Sequence, residues 1–325
     1  MKRIFIPLLA AVAAVAACSP HIHLDVLGTS ELQEVVLLPS PAKDKVVMID
    51  VSGLISTTVE AGPLAREKDL VTQVYGRLER AARDPLVRAV ILRLDTPGGE
   101  VTASDIIYHE VLEFKERTRL PVVGLMMATT ASGGYYIAMA CDHLLAHPSS
   151  LTGSIGVISI FPDVHELLGK VGVRVNVIKS RDLKDAGGPF REMTEDERRV
   201  FQGIIDEYYG TFLDVVLKGR RGALTKDELR AAADGRVFTA RQALELKLID
   251  EVGYFEDAFR KAKALASVRE ARLVSYTHYP KIRSNIYAVT PGPTASLLPN
   301  EKTALDAFLA ALRSGFYYLW LPEAR

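Results

Sequence analysis

The sequence is poor in the features that mark several classes of protein. It has two cysteines, Cys18 and Cys141, in 325 residues, too few for a disulfide-stabilised scaffold. Lys plus Arg and Asp plus Glu are equal at 40 each, and a nucleic-acid surface usually needs a basic excess, so we expect no nucleic-acid partner. No ligand cluster has the spacing of a metal site, and we expect no metal. Beyond the N-terminus, no segment is apolar over the ~20 residues that a membrane-spanning helix needs.

The N-terminus has the pattern of a targeting signal. Lys2 and Arg3 precede the apolar run IFIPLLAAVAAVAA, and small residues lead up to Cys18. This pattern predicts a secretory signal peptide of the lipoprotein type over residues 1–17. The small residues before Cys18 resemble a bacterial lipobox, in which the cysteine is lipidated and becomes the first residue of the mature chain. An ordinary signal peptide and a short anchor helix are the alternatives, and each of the three places the body of the protein outside the cytoplasm.

The rest of the chain divides into a tether, a domain and an extension. Residues 18–44 are mixed in character and contain Pro and Ser, which favours a tether. Over residues 45–265, strand patterns alternate with helical periodicity, and this order predicts an α/β fold with a mainly parallel sheet flanked by helices. Within it we predict a strand at 173–178 and a helix that starts at the capping box of 194–197. The pattern of strands and helices weakens in residues 266–325, which we interpret as a C-terminal extension. An oligomer contact is one role that we consider for it.

Two glycine-rich turns follow predicted strands: TPGGE at 96–100 and TASGGYY at 130–136. Ligand sites of open α/β sheets lie at the carboxyl ends of strands, so the two turns are candidates for one site. Ser132 in the second turn is either a nucleophile or the hydroxyl that caps the next helix. A nucleophilic serine needs a base, and none of the seven histidines lies in a segment whose pattern marks it as one. A neutral lysine can replace histidine, and Lys179 and Lys184 both follow a predicted strand.

Five separated motifs resemble, in order, those of the signal peptide peptidase A (protease IV) family of bacterial serine peptidases. The resemblance covers about residues 45–265 and implies a Clp-protease and crotonase-like α/β fold, with catalysis by a Ser-Lys dyad. The motifs are LDTPGGEVTAS, TASGGYYIA, LTGSIGVI, KSRDLKDAGGPFREMT and GRVFTARQALELKLIDEVG.

The resemblance implies a role for each of five residues. Ser132 corresponds to the nucleophile and Lys184 to the general base, with Ser154 of TGSIGV holding the lysine amine. Backbone N–H groups of Gly99 and Gly133 correspond to the oxyanion hole, which stabilises the charge that develops on the substrate carbonyl.

The lysine-bearing loop departs from the pattern of the family. The family usually reads KSG-x-YKD, whereas this chain reads KSRDLKD, with Arg181 in place of glycine and Leu183 in place of tyrosine. These two changes bear on the conformation of the loop, and Lys179 stays the rival base.

The same resemblance implies a function and partners. It implies an endopeptidase of the bacterial cell envelope, anchored to the membrane by lipidated Cys18, whose substrates are released signal peptides and other unfolded apolar peptides. It implies no metal or organic cofactor. Half-length members of the family form rings with active sites at subunit boundaries, so we expect a homo-oligomer.

Two other functions remain open on the same fold. One is a catalytically silent scaffold or binding lipoprotein, and the other is an acyl-CoA enzyme of the crotonase type, which is disfavoured outside the cytoplasm. The aromatic run at 315–321 is interpreted as core packing or a subunit contact, with a membrane-interface contact as the alternative.

Overall fold

The computed structural model describes residues 32–57, 69–278, 285–288 and 315–320. The predicted signal peptide and Cys18 therefore lie outside the described residues. Twelve strands are assigned in the described part of the chain. They are β1 (Gln33–Leu38), β2 (Lys45–Ser52), β3 (Val87–Thr96), β4 (Gly98–Glu100), β5 (Val122–Ala131), β6 (His143–Ala146), β7 (Leu151–Gly153), β8 (Ile158–Ser159), β9 (Val237–Thr239), β10 (Glu251–Val252), β11 (Arg272–Thr277) and β12 (Phe316–Leu319).

Helices connect and flank these strands. In the described residues they are α1 (Leu70–Ala82), α2 (Val101–Thr118), α3 (Gly133–Ala138), α4 (His165–Lys170), α5 (Glu195–Gly219), α6 (Lys226–Ala232), α7 (Ala240–Glu245) and α8 (Phe255–Leu265), with a 3-10 turn at Asp182–Asp185. The predicted capping box is present, because the Thr194 side chain accepts from the Glu197 N–H and the Glu197 carboxylate accepts from the Thr194 N–H. None of the described helices has both the length and the apolar character of a membrane span.

The main sheet has nine strands, seven of them in the order β1-β11-β2-β3-β5-β6-β10. Pairing is parallel from β11 through to β10, and only β1 and β9 pair antiparallel at the margins. Parallel strands with helices on both faces are buried on both sides, which explains why seven of the eight residues of β2 are buried. The predicted α/β class with a mainly parallel sheet is confirmed.

The core lies on both faces of this sheet. Alternate residues of β2 point in opposite directions: Val47 and Ile49 pack in the larger cluster with α1 and α2, whereas Val46 and Met48 pack in a smaller cluster with α8. Each face of the sheet thus carries its own buried apolar layer. The carboxyl ends of the strands lie between these two layers.

Strand β5 changes partner along its length. Its first half pairs with β6 over Val123–Met126, and its last three residues pair with β7 over Thr129–Ala131. The TASGGYY turn begins at the end of this fork, so its position is fixed by strands on both sides.

A second, three-stranded sheet lies beside the fork. In it β12 runs between β4 and β8 and pairs antiparallel with both. The aromatic run near the C-terminus is therefore a strand next to the TPGGE turn, and Tyr318 in it is 1% exposed.

The structure differs from the sequence predictions in two segments outside the core. Residues 33–38 lie inside the predicted tether, yet they form β1, because they pair with β11, itself part of the predicted extension. Residues 173–178 were predicted to be a strand, yet no strand is assigned there and every residue from 171 to 180 is exposed. Within the described residues this apolar segment has no neighbouring strand, and an alternating pattern alone cannot supply one.

Candidate active site

Ser132 lies at the end of β5 in a backbone conformation that serine rarely adopts. Its φ is 53° and its ψ is −113°, and the residue is 1% exposed. The conformation is fixed from both sides, since the Ser132 N–H donates to the Gly153 carbonyl at 2.8 Å and the Ser132 carbonyl accepts from the Tyr136 N–H at 2.9 Å. Strained backbone held by its surroundings is found mostly at functional sites.

The Ser132 hydroxyl has no hydrogen-bond partner among the described residues, and it is the one such buried side-chain polar atom there. Although Ser132 occupies the cap position of α3, its side chain makes no capping hydrogen bond. The interpretation of this serine as a helix cap therefore fails. A buried hydroxyl without a partner is costly, by about 1–3 kcal/mol, and calls for a functional explanation.

None of the histidines among the described residues forms a hydrogen bond with the Ser132 hydroxyl, and the nearby cysteine is a poor alternative nucleophile. His143 contacts Glu251, and His147 contacts Ser149. Burial raises the pKa of the Cys141 thiol to about 12, although the residue as a whole is partly accessible. A thiol with such a pKa stays protonated at neutral pH and is a poor nucleophile.

Ser154 lies at the same fork as Ser132. It follows β7, whose Gly153 pairs with Ala131 of β5, so the two serines extend the same pair of strands. Ser154 also has a positive φ, 50°, and is 6% exposed, and its N–H donates to the Arg236 carbonyl. The structure thus brings Ser132 and Ser154 together at the fork.

The two glycine turns meet beside Ser132. A Cβ added to Gly98, whose φ is 102°, would lie 2.9 Å from the Gly133 nitrogen, and one added to Gly133 would lie 2.4 Å from the Ser104 hydroxyl. On the other side of the first turn, a Cβ at Gly99 would lie 2.0 Å from the Ile55 carbonyl oxygen. Glycine is thus required here for close backbone packing, which brings the first turn against Gly133, the residue after Ser132.

Lys184 lies in the 3-10 turn of an exposed loop. The residue is exposed, and its side chain makes no hydrogen bond or ion pair with the described residues. In the single chain the structure therefore does not bring Lys184 to Ser132, which is buried and unpartnered.

The rival Lys179 is already engaged. Its amine donates to the Asp185 carboxylate at 2.8 Å and to the Asp182 carbonyl at 3.0 Å. Arg191 also binds Asp185, and these two partners hold the pKa of the Asp185 carboxyl well below its usual range. The Lys179 amine is thus bound to other groups of its own loop rather than to Ser132.

Two residues of the site were not identified from the sequence. Ile55 and Tyr318 lie on either side of Gly99, and each contacts the turn through its backbone. Only the double glycine of TPGGE signalled close packing, whereas the pairing with Tyr318 joins segments far apart in the sequence. In the part of the chain that the structure describes, no group of three or more His, Cys, Asp or Glu residues could hold a metal.

Comparison with known proteins identifies the family. The model of peptidase family S49 matches residues 114–269. A Synechocystis protein provisionally named a protease is 38% identical over 226 residues, which are 70% of this chain and 76% of the relative. An Enterococcus faecium protein whose provisional name is signal peptide peptidase SppA is 33% identical over 77% of this chain and 72% of its own.

A longer relative is also named as a protease. Protease 4 of Haemophilus influenzae is 32% identical over 70% of this chain, but that match covers only 36% of the relative. The chain belongs to the signal peptide peptidase A (protease IV) family within peptidase family S49, and it is a serine peptidase.

Proposed function

We propose that the protein is a membrane-anchored endopeptidase that cleaves released signal peptides and other unfolded apolar peptides. Ser132 is its nucleophile. The observation that carries this assignment is the buried hydroxyl of Ser132, strained in its backbone and without a hydrogen-bond partner in the described chain. A nucleophile in the resting enzyme is left free to attack a substrate carbonyl, and the acyl-enzyme that results is then hydrolysed by water.

Lys184 is the proposed general base, and Lys179 is the less suitable candidate. A base must have its amine within reach of the serine hydroxyl, and the Lys179 amine is bound by the Asp185 carboxylate. Lys184 has no such carboxylate partner among the described residues. Once it is enclosed in a dry site beside Ser132, desolvation favours its neutral form, and Ser154 is well placed to hold its amine by a hydrogen bond.

The Gly99 and Gly133 N–H groups form the proposed oxyanion hole. This proposal is supported by the close packing of the two turns, in which Gly98 approaches the Gly133 nitrogen. Removing one donor from an oxyanion hole typically raises the barrier by ~2.7–4 kcal/mol, so the rigidity of these turns matters for the rate.

A second copy of the chain is proposed to bring Lys184 to Ser132. The segment 171–178, which leads towards the lysine loop, exposes Val173, Val175, Val177 and Ile178 to between 43% and 100%. An apolar segment of this kind, with the alternating pattern of a strand and no strand beside it in the described chain, fits burial against another subunit. The peptidase would then be a homo-oligomeric ring with an active site at each subunit boundary.

Lipidation of Cys18 is the proposed anchor, which places the peptidase domain on the periplasmic side of the bacterial envelope. Each buried CH₂ of a lipid chain contributes about 0.8 kcal/mol, so several chains hold a protein firmly. Replacing Cys18 with Ser is expected to move the protein from the membrane fraction to the soluble fraction, and mass spectrometry of the purified protein would detect the attached lipid directly.

Hydrolysis of a fluorogenic apolar peptide tests the dyad, with the parent compared with Ser132→Ala, Lys184→Ala and Lys179→Ala. We expect activity to fall to background in the first two variants and to survive in the third. Size-exclusion chromatography and thermal unfolding would verify that each variant is folded and assembled. Activity that survives Lys184→Ala but not Lys179→Ala would transfer the role of base to Lys179. A parent that binds peptides and never cleaves them would favour the scaffold function.

A further inference from the structure

The turn that carries Lys184 is bound to its surroundings through Asp185, the next residue. The Arg191 guanidinium donates to both oxygens of the Asp185 carboxylate, from Nε to Oδ2 at 3.1 Å and from Nη2 to Oδ1 at 2.6 Å. A planar guanidinium that makes two parallel hydrogen bonds fixes the orientation of a carboxylate as well as its position. The C-terminal end of the turn is therefore held in one orientation by Arg191.

Arg191 binds a second carboxylate at the start of α5. Its Nη1 donates to Glu197 Oε2 at 3.0 Å, and its Nη2 donates to the other oxygen of the same carboxylate. The Glu197 side chain is 1% exposed, and it also accepts from the Thr194 N–H in the capping box. Arg191 thus connects the lysine turn to a fixed point, the N-terminal end of a helix of 25 residues.

Arg191 also compensates two like charges. Its hydrogen bonds lower the pKa of both the Asp185 and the Glu197 carboxyl, whereas the negative charge of Asp185 acts on Glu197 in the opposite sense. Among the ion pairs of the described residues, Glu197 has Arg191 as its one cationic partner. Without Arg191 the two carboxylates would repel each other, and the turn would move away from α5.

The chain that follows the turn is closely packed. Gly187 is buried with a φ of 70°, and a Cβ added to it would lie 2.6 Å from the Phe161 ring. Phe161 in turn contacts Phe201 of α5, with 4.2 Å between the ring centroids. Lys184 itself is exposed. The turn is therefore attached to α5 by an ion-pair network and by apolar packing, while its lysine stays accessible.

We propose that Arg191 is a positioning residue of the peptidase, which fixes the Lys184 turn on α5 so that the lysine amine reaches the serine in one orientation. This inference rests on the proposed role of Lys184 as the general base. Arg191 acts through Asp185 and forms no hydrogen bond with the Ser132 hydroxyl in the described chain. A displacement of about 1 Å can cost ~10²-fold in rate, so the loss of this connection lowers kcat.

Steady-state hydrolysis of a fluorogenic apolar peptide by the full chain separates positioning of the base from substrate binding. Arg191→Gln is expected to lower kcat about a hundredfold and to change KM less than about threefold, because it displaces the base and leaves the peptide-binding residues in place. Arg198→Gln is the matched control, since Arg198 lies at the same end of α5 but pairs with Glu195 at 3.5 Å on the surface. An unchanged kcat in Arg191→Gln, or a rise in KM alone, would overturn the inference.

Brief digestion with trypsin tests the same connection without catalysis. Arg191→Gln and Arg198→Gln each remove one trypsin site, and both are made in a chain that carries Ile178→Asp, so that subunit contacts do not cover the loop. Mass spectrometry of the fragments measures the rate of cleavage after Lys184. We expect this rate to be at least about tenfold higher in Arg191→Gln, with cleavage elsewhere unchanged, because a released turn can enter the trypsin active site. Equal rates after Lys184 in the two variants would contradict the role of Arg191.

Asp185→Asn breaks the connection from the other side and keeps the pair of Arg191 with Glu197, so it decides the inference where Arg191→Gln folds poorly. It is expected to lower kcat about as much as Arg191→Gln, and the double variant should lose no more than either single variant, since all three lack the same link. A kcat for Asp185→Asn equal to that of the parent, or losses that multiply in the double variant, would overturn the inference.

Failure of the inference can be told apart from failure of the proposed function. If the parent chain cleaves no peptide, the proposed function fails, and the trypsin digestion still decides whether Arg191 holds the turn. If Lys184→Ala is inactive while Arg191→Gln keeps the kcat of the parent, the inference fails and the proposed function stands.

Discussion

Ser132 has two unfavourable features at once: a positive φ and a buried hydroxyl without a described partner. Each costs on the order of 1–3 kcal/mol in a folded protein. The strand fork that precedes the turn and the Tyr136 hydrogen bond that follows it leave the residue no other conformation. The backbone strain is therefore located at Ser132, the residue to which the family resemblance assigns the role of nucleophile.

Replacing Ser132 with Gly is expected to stabilise the protein by ~1 kcal/mol while it abolishes hydrolysis. Glycine adopts the φ and ψ of this position without strain and removes the buried hydroxyl, although it also makes the unfolded chain more flexible. Thermal or urea unfolding measures the change. The matched control is Ser275→Ala, because Ser275 is equally buried but donates to the Met48 carbonyl, so its loss should destabilise by ~1 kcal/mol. A Ser132→Gly variant less stable than the parent would contradict the strain argument.

Gly98→Ala is expected to destabilise the protein by more than ~2 kcal/mol and to abolish activity. Its φ of 102° excludes a side chain, and the new Cβ would lie 2.9 Å from the Gly133 nitrogen. Gly203→Ala is the control, since a Cβ at this position in α5 meets nothing within 4 Å. That change should stabilise the helix by ~0.5–1 kcal/mol. Comparable unfolding free energies for the two variants would contradict the packing of the turns.

At the scale of the helices, α5 is firmly attached at its C-terminal end. Arg220, its cap residue, is 6% exposed, and its guanidinium binds the Asp250 carboxylate at 2.8 Å and the Lys247 carbonyl at 2.9 Å. Asp250 also accepts from the Leu144 N–H of β6. Burial alone would raise the pKa of the Asp250 carboxyl, but Arg220 and the Leu144 amide outweigh it and lower that pKa.

Asp250→Asn is therefore expected to lower the free energy of unfolding by ~2 kcal/mol at neutral pH, because it leaves Arg220 buried without its counter-charge. The pKa of Asp250 is lower in the folded chain than in the unfolded chain. Its stabilising contribution is thus complete above about pH 4 and is lost as the pH falls through the folded pKa. Urea unfolding of both proteins from pH 7 to pH 3 should show a constant difference that shrinks only below about pH 4.

Glu166→Gln provides the control, since the ion pair of Glu166 with Lys170 is 3.9 Å long and about three-quarters exposed on each side. It should change stability by less than ~0.5 kcal/mol at every pH. A difference for Asp250→Asn that stayed constant down to pH 3 would contradict the lowered pKa.

The helices and strands that could be predicted from the sequence are those whose formation is determined by residues close together in the sequence. Helix α5 starts where the Thr194 capping box begins, and the buried strands β2, β3 and β5 have the β-branched composition of a parallel sheet. The segment 173–178 has a similar pattern and is not a strand, because strand formation needs a partner and none lies beside it in the described chain. The local sequence does not encode that partner.

At the scale of the whole molecule, the candidate site could be predicted only in part. Ser132, Ser154, Gly99 and Gly133 are close in space because β5 and β7 pair and the two turns pack together. The contact of Tyr318 with Gly99 joins the C-terminal segment to the first third of the chain, and no periodicity in the sequence predicts it. Lys184 is exposed in the described chain, and the fold of the single chain does not bring it to Ser132.

Mixing two inactive variants tests whether subunits share their active sites. Ser132→Ala and Lys184→Ala are each expected to be inactive, but after unfolding and refolding together a shared site can combine an intact serine from one chain with an intact lysine from another. In a ring assembled at random from equal amounts, about a quarter of the sites should be restored, and the hydrolysis rate measures that fraction.

The control for mixing adds Ile178→Asp to both variants. Ile178 is fully exposed in the chain, so the change should not affect folding, but a charge in an apolar subunit contact should prevent assembly. Light scattering is expected to report monomers, and the mixture should stay inactive. If mixing the two original variants restored no activity although they assembled together, Ser132 and Lys184 would not meet across a subunit boundary.

The fork in β5 has a consequence for how fast different parts of the site move. The amide of Ser132 is bonded to the Gly153 carbonyl within the main sheet, so hydrogen exchange there requires the sheet itself to open. The lysine loop and β12 lie outside that sheet and can open by local fluctuations. Ser132 is thus held by the sheet itself, whereas the segments around it can move while the sheet stays closed.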